Sequence, residues 1–271
     1  MTKGLVVAID GTAGSGKSTT ARKAAETLGF FYLDTGAMYR AITLKVIKSK
    51  IDLCNTESLK KLVDKTKIDI TVNRDRVPCS VEHKRARAQE RSGPWTTDYG
   101  HELRIILDGK DVSKEIRKPE VDKLVSQVSA LPLVREKMVK EQRRIAKGRN
   151  VICEGRDIGS VVFPNANPKL YLDCDLEERT KRREKEQKEK GIKITRKAIK
   201  ENFLERDYID STREHSPLRK TSDAVFLDTT NLTIEEEVKI VVDMIKERLK
   251  KKIKEGRPSS LVPRSCFGVR L

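Results

Sequence analysis

Three glycines, a lysine and a serine stand close to the amino terminus at a spacing that suits one kind of chemistry, the gripping of a polyphosphate. The stretch is "GTAGSGKS", residues 11–18, with Thr19 directly after it. Gly11, Gly14 and Gly16 open backbone conformations closed to residues with a Cβ, so that successive N–H groups turn inward around phosphate oxygens. Lys17 adds a cation for the β- and γ-phosphates, and Ser18 offers a hydroxyl to Mg²⁺. A helix over 17–29 would point its positive end at the same anion. The apolar run "LVVAID" (5–10) reads as a strand, so the loop has a strand before it and a helix after it. Gly11, Thr12, Ala13, Gly14, Ser15, Gly16, Lys17, Ser18 and Thr19 are therefore expected to bind ATP with Mg²⁺.

A second set of charges recurs further on. "FYLDTGAMYRA" (31–41) places Asp34, Thr35, Tyr39 and Arg40 at the end of the next strand and the start of a helix. "LDGKDVSKEIRKPEV" (107–121), "SQVSALPLVREKM" (126–138), "EGRDIGSVVFPNA" (154–166) and "ERDYIDSTREHSPL" (205–218) follow. Arg40, Arg117, Arg135, Arg156, Arg206 and Arg213 are scattered along the chain, yet most fall just beyond apolar runs or within helices that could face one crevice. Arginine is suited to forked contacts with phosphate oxygens, so the set points to a second anion beside the triphosphate. None of the three histidines stands in a Ser/His/Asp or Cys/His arrangement.

Those residues need a frame. Buried-strand patterns recur at 5–9, 151–153, 169–173 and 224–228, separated mostly by segments that read as helices, which predicts a parallel sheet with helices on both faces. Ligands then sit at the carboxyl ends of the strands. The fold class expected is α/β, a phosphate-loop kinase core formed by 1–50 and 151–250. Residues 51–150 interrupt it with strand-like pieces (68–72, 102–107) and helical patterns (119–130, 133–148), and read as an inserted domain that binds the acceptor. The charged run 178–200 reads as a short helical lid, and 251–271 as a basic tail.

Composition narrows the class. The chain has 271 residues, 37% of them hydrophobic, and a formal net charge of +17, which raises the question of nucleic acid. Aromatic residues make up only 4% and are not interleaved with the basic runs, so no stacking platform for single strands is expected. The excess fits small phosphorylated ligands and solvated helix faces better. Cys54, Cys79, Cys153, Cys174 and Cys266 are scattered without metal-type spacing, which implies a reducing compartment and no zinc. No apolar stretch approaches a membrane span. The expectation is a cytoplasmic enzyme, with nothing that demands more than a monomer. Two stretches do not match their surroundings: 74–94 carries five arginines against one lysine, and 257–271 contains "LVPRS", similar to a protease site used in expression vectors. Neither is given a function.

Taken together and in this order behind a phosphate loop, the five motifs resemble those of the bacterial cytidylate kinases, nucleoside monophosphate kinases of the phosphate-loop class. The resemblance covers residues 4 to about 250 apart from 74–100. It implies ATP-dependent phosphorylation of CMP and dCMP, with an inserted monophosphate-binding domain and a lid. It also implies roles: Arg40, Arg156 and Arg206 on the acceptor phosphate with a hydroxyl from Thr35, and Asp210 and Arg213 on the ribose. Asp34, Tyr39 and Arg117 belong to the same CMP-binding set. Asp157, Arg135 and Ser126 would face the cytosine edge. Glu154 stands where related kinases place an acid beside the metal, through a water. Lys17 and Arg156 would act in catalysis with lid arginines, Arg182 and Arg183 being the pair expected and Arg179 a further candidate. The acceptor is an ionised phosphate oxygen, so no general base is needed, and catalysis reduces to alignment and charge neutralisation.

Two other readings remain open at this point. A kinase of the same fold could take UMP or AMP, which a panel of acceptors would reveal. A nucleic-acid-binding NTPase would instead show strongly salt-dependent affinity for polynucleotide and turnover stimulated by it.

Overall fold

The computed structural model describes residues 4–73, 102–189 and 191–254. The arginine-rich stretch 74–94, the tail from 255, and with them Cys79, His83, His101 and Cys266, lie outside the described residues.

The described chain clusters into two units, one made of residues up to 36 together with those from 130 onward, the other of 37–129. The first unit is built on strands β1 (Val6–Gly11), β2 (Phe31–Asp34), β6 (Val151–Gly155), β7 (Lys169–Asp173) and β8 (Val225–Asp228). They form one sheet in the order β2-β6-β1-β7-β8, and every neighbouring pair is parallel. Val7, Ala8 and Ile9 of β1 are fully buried, as a central strand covered on both faces requires. The chain leaves β1 for β2 on one side, while β7 lies on the other. The order thus reverses at β1, and the crevice such a reversal creates opens at its carboxyl end.

Helix α1 (Lys17–Leu28) covers the sheet through Ala21, Ala24, Ala25 and Leu28, all buried. Its small alanines let helix and strands approach closely. Gly29 ends it in a left-handed conformation, φ 65°, with its N–H turned back to Ala25 and Glu26, a glycine C-cap. The carboxy-terminal helix α8 (Ile234–Lys254) packs against α1. It starts with a reciprocal cap: Glu236 Oε2 accepts from the Thr233 N–H at 2.9 Å, and Thr233 Oγ1 accepts from the Glu236 N–H at 3.3 Å. Two helices, α6 (Leu176–Glu189) and α7 (Arg196–Thr212), pair in the region read from sequence as the lid.

The second unit holds an antiparallel sheet β3-β4-β5 (Ile68–Asn73, Glu102–Leu107, Lys110–Asp111). Helices α3 (Thr56–Asp64) and α4 (Pro119–Ala130) and a turn of 3-10 helix (Glu115–Arg117) complete it. Ile68 and Ile70 of β3 face inward with Ile105 and Leu107 of β4, the alternation of a half-covered sheet. The boundaries differ from the 51–150 expected. Helix α2 (Thr35–Lys48) runs into the second unit after its first residues, and α5 (Pro132–Ala146) belongs to the first. Arg135 and Arg143 of α5 send their hydrogen bonds to residues 157–162 of the same unit.

Candidate active site

The loop expected between β1 and α1 is there, and its glycines answer to geometry. Gly14 has φ 78°, and a Cβ on it would lie 2.7 Å from the Phe203 ring of α7. Gly16 has φ 88°, and a Cβ would meet Glu237 Oε2 of α8 at 2.9 Å. Both positions are closed to other residues by conformation and by space. The loop is tied from outside as well. Thr12 Oγ1 donates to Asp173 at 2.7 Å, the Ala13 N–H to Asp207 at 3.0 Å, and Thr229 Oγ1 to the Ser15 carbonyl at 3.1 Å. Thr20, one turn into α1, donates to the buried Glu237. Thr19 lies between, on the first turn of α1.

Lys17 is only 4% exposed. Its Nζ donates to the Thr12 carbonyl and to Ser15 Oγ at 3.3 Å, so the ammonium lies within the loop. Burial and then the nearby Arg156 lower its pKa to about 7 from 10.5. Ser18 Oγ donates to Glu154 Oε2 at 2.9 Å, and Tyr32 OH donates to Glu154 Oε1 at 2.6 Å. Glu154 is buried. Burial first, then the Asp34 carboxylate, raise its pKa against the pull of Lys17. A hydroxyl beside a buried carboxylate offers the hard oxygen donors that Mg²⁺ takes. Among the described residues no cluster of three His, Cys, Asp or Glu could hold a metal by itself.

The end of β6 delivers the second set. Register places Glu154 beside Ile9 and Gly155 beside Asp10, so "EGRD" emerges next to the loop. Thr35 Oγ1 donates to the Glu154 carbonyl at 2.7 Å. Arg156 Nε donates to Asp210 Oδ2 at 2.7 Å, and Arg213 pairs with Asp210 Oδ1 at 3.2 Å. Burial pushes the Asp210 pKa up, but the Arg156 and Arg213 guanidiniums outweigh it and hold it below the usual value. Arg206 lies on the same helix α7, four residues before Asp210. Asp157 and Arg135 are both buried and paired with each other. Five of the expected groups, Arg135, Arg156, Asp157, Asp210 and Arg213, are thus joined by ion pairs. In the second unit Arg40 pairs with Asp122 of α4, Tyr39 is buried in α2, Ser126 lies on α4 and Arg117 closes the 3-10 turn.

The lid arginines redistribute. Arg182, expected in catalysis, donates to the Thr229 carbonyl at 2.6 Å and pairs with Glu237 at 3.4 Å, which ties α6 to the start of α8. Arg183 pairs with Glu186 of its own helix at 2.8 Å. It is Arg179 that bonds the phosphate loop, donating to the Ala13 carbonyl at 2.9 Å and to Asp207.

Sequence reasoning missed the carboxylates behind the loop: Asp10, Asp173, Asp207 and Glu237. An acid within an apolar strand, as in "VVAIDG", is the signal that could have found Asp10. Its carboxylate accepts the N–H groups of Ile158 at 2.8 Å and Gly159 at 2.7 Å. Burial raises its pKa from 3.8 to about 6, although those two N–H groups pull the other way. A folded-state pKa above the unfolded value means that the folded chain holds this proton more tightly. The stability so contributed is present at low pH and lost as pH rises through about 6. Between about pH 4.5 and about pH 7, unfolding free energy measured against an Asp10→Asn variant in the same buffers should fall by about 2 kcal/mol. A difference that stays constant with pH would contradict this.

The family model described as cytidylate kinase matches residues 7–247. The chain is 44% identical over 247 residues to the cytidylate kinase of Caldanaerobacter subterraneus subsp. tengcongensis, covering 91% of this chain and 97% of that one. It is 41% identical over 239 residues to the cytidylate kinase of Carboxydothermus hydrogenoformans, with 88% and 96% covered. The cytidylate kinase of Shouchella clausii is 40% identical over 247 residues, with 91% and 98% covered.

Proposed function

This chain belongs to the cytidylate kinase family, and from that premise we infer the task of each group in its site. The reaction is transfer of the γ-phosphoryl group of ATP to CMP or dCMP, giving ADP and the nucleoside diphosphate. UMP or AMP as the preferred acceptor, and a nucleic-acid-dependent NTPase, are not favoured beside that membership.

The observation that carries the finer reading is the pairing of β1 with β6, which sets the Gly11–Ser18 loop and the "EGRD" segment side by side. Gly11 to Thr19 hold the triphosphate, with Lys17 against the oxygens of the transferring group. Arg156 and Arg206 hold the acceptor phosphate, Thr35 adds a hydroxyl, and Asp210 with Arg213 takes the ribose. From the second unit Tyr39, Arg40, Arg117 and Ser126 are retained as acceptor contacts on the strength of their motifs, with Asp34 from β2. The acceptor oxygen is already ionised, so these residues need only align two phosphates and neutralise spreading charge. Arg179, already on the loop, is better placed than Arg182 or Arg183 to move onto the donor when 178–200 closes. The 37–129 unit is the acceptor-binding insert.

Ser18 and Glu154 are the residues that would hold Mg²⁺, Ser18 directly and Glu154 through water. The ion, when bound, neutralises the β- and γ-phosphate oxygens. We place the protein in the cytoplasm as a monomer, with ATP, Mg²⁺ and CMP or dCMP as its ligands and no nucleic acid required. No described helix is long and apolar enough to cross a membrane. The test is the Mg²⁺ dependence of turnover. Ser18→Ala should raise the Mg²⁺ concentration for half-maximal rate on the order of tenfold or more, and an unchanged Mg²⁺ requirement would remove Ser18 from the metal site.

A further inference from the structure

The turn that follows Arg156 and Asp157 is held at both ends by side chains to which the transfer assigns no role. At its start the Asp10 carboxylate, at the end of β1, accepts the N–H groups of Ile158 at 2.8 Å and Gly159 at 2.7 Å. At its end Arg143 of α5 donates from Nε to the Val162 carbonyl at 2.9 Å and from Nη2 to the Val161 carbonyl at 2.9 Å. Between them, Ile158–Val162 form a single turn of π-helix, a wide form that occurs in short pieces and often at functional sites. The last carbonyls of a helical turn have no partner within it, and the forked guanidinium supplies one for two of them.

Helix α5 therefore grips the segment twice. Arg135 takes the Asp157 side chain, and Arg143, two turns further along, takes the carbonyls that end the turn. A solvent-exposed arginine ordinarily contributes little to stability. This one spends its planar fork on two successive carbonyls, a geometry that lysine cannot reproduce. Such a clamp orients the residues just before it.

We propose that Arg143, with Asp10, is a positioning residue for acceptor choice: the two fix the 158–162 turn and so set the direction in which Asp157 presents its carboxylate. The proposal rests on the reading that Asp157 faces the cytosine amino group. Recognition of one base edge over another depends on hydrogen-bond geometry, and a misplacement of about 1 Å can cost on the order of a hundredfold in rate. Loss of one end of the clamp, with Asp10 and Arg135 still in place, should cost less.

The test compares Arg143→Ala, Arg143→Lys and Asp157→Ala, measuring kcat/KM for CMP and for UMP, KM for ATP, and thermal midpoint. Arg143→Ala should lower kcat/KM for CMP about tenfold and for UMP about twofold or less, with KM for ATP unchanged. Arg143→Lys, which keeps the charge and a single donor nitrogen but not the planar fork, should fall between. Asp157→Ala should contract the CMP to UMP ratio further than either. If Asp157→Ala contracts the ratio while Arg143→Ala lowers both acceptors equally, or neither, the clamp has no part in selection and the proposal fails. An unchanged ratio in Asp157→Ala would overturn the reading of Asp157 itself, and the proposal with it.

Discussion

Replacement of Lys17 by Met should lower the rate of phosphoryl transfer by on the order of a thousandfold or more, with the fold intact. The ammonium is 4% exposed and held within the loop by the Thr12 carbonyl and Ser15 Oγ. A charge so placed needs no reorganisation when negative charge spreads over the transferring group, and the surrounding protein screens it far less than water would. Methionine keeps the unbranched shape and removes the charge. Loop geometry should survive, because Thr12, Ala13 and Ser15 are also tied to Asp173, Asp207 and Thr229. The check is ADP formation by the purified variant, with its thermal midpoint measured alongside. Turnover close to that of the native chain would contradict the role of Lys17.

The parts of this account that were legible in the sequence are those governed by short-range rules. The loop needs glycine at positions with positive φ, and Gly14 and Gly16 have it. Strands such as 151–153 and 169–173 announce themselves as apolar runs because both faces of a parallel sheet are buried. Helix α4 matches the 119–130 pattern to the residue. The ion pairs joining Arg156 to Asp210 and Arg135 to Asp157 span 54 and 22 residues. No local rule brings those residues together, and the sequence showed their motifs without showing the pairs. What could not be read was partner choice among like charges. Arg179, Arg182 and Arg183 share one helix and one residue type. Which of them turns toward the loop is decided by Asp207 and by the carbonyls after β8, which are remote in sequence. Asp10 was hidden for a similar reason: the N–H groups it accepts lie 148 and 149 residues away. Helix α5 reads as amphipathic whichever core it packs on, so its membership of a unit has no local signal in the sequence.

Preference for cytosine over uracil is the second large effect expected. Cytosine presents an amino donor at N4 and an acceptor at N3, where uracil presents an acceptor at O4 and a donor at N3. Asp157 and Arg135 are both buried and already paired, so a carboxylate and a cation stand together with water largely excluded. Cytosine can give its amino hydrogens to the carboxylate and receive from the guanidinium. Uracil would set an oxygen against the carboxylate and an N–H against the arginine, so that its own buried polar edge finds no partner on the Asp157–Arg135 pair. That mismatch costs roughly 2–3 kcal/mol, or discrimination on the order of a hundredfold.

The most direct measurement is therefore kcat/KM for CMP, dCMP, UMP and AMP in turn, with ATP and Mg²⁺ held constant and both ADP and the diphosphate product quantified. CMP and dCMP should be the best acceptors, with UMP lower on the order of a hundredfold and ADP formed in equal amount to the new diphosphate. UMP or AMP turned over as efficiently as CMP, or ADP released without a matching nucleoside diphosphate, would contradict the assignment of this chain's active site to cytidylate phosphorylation.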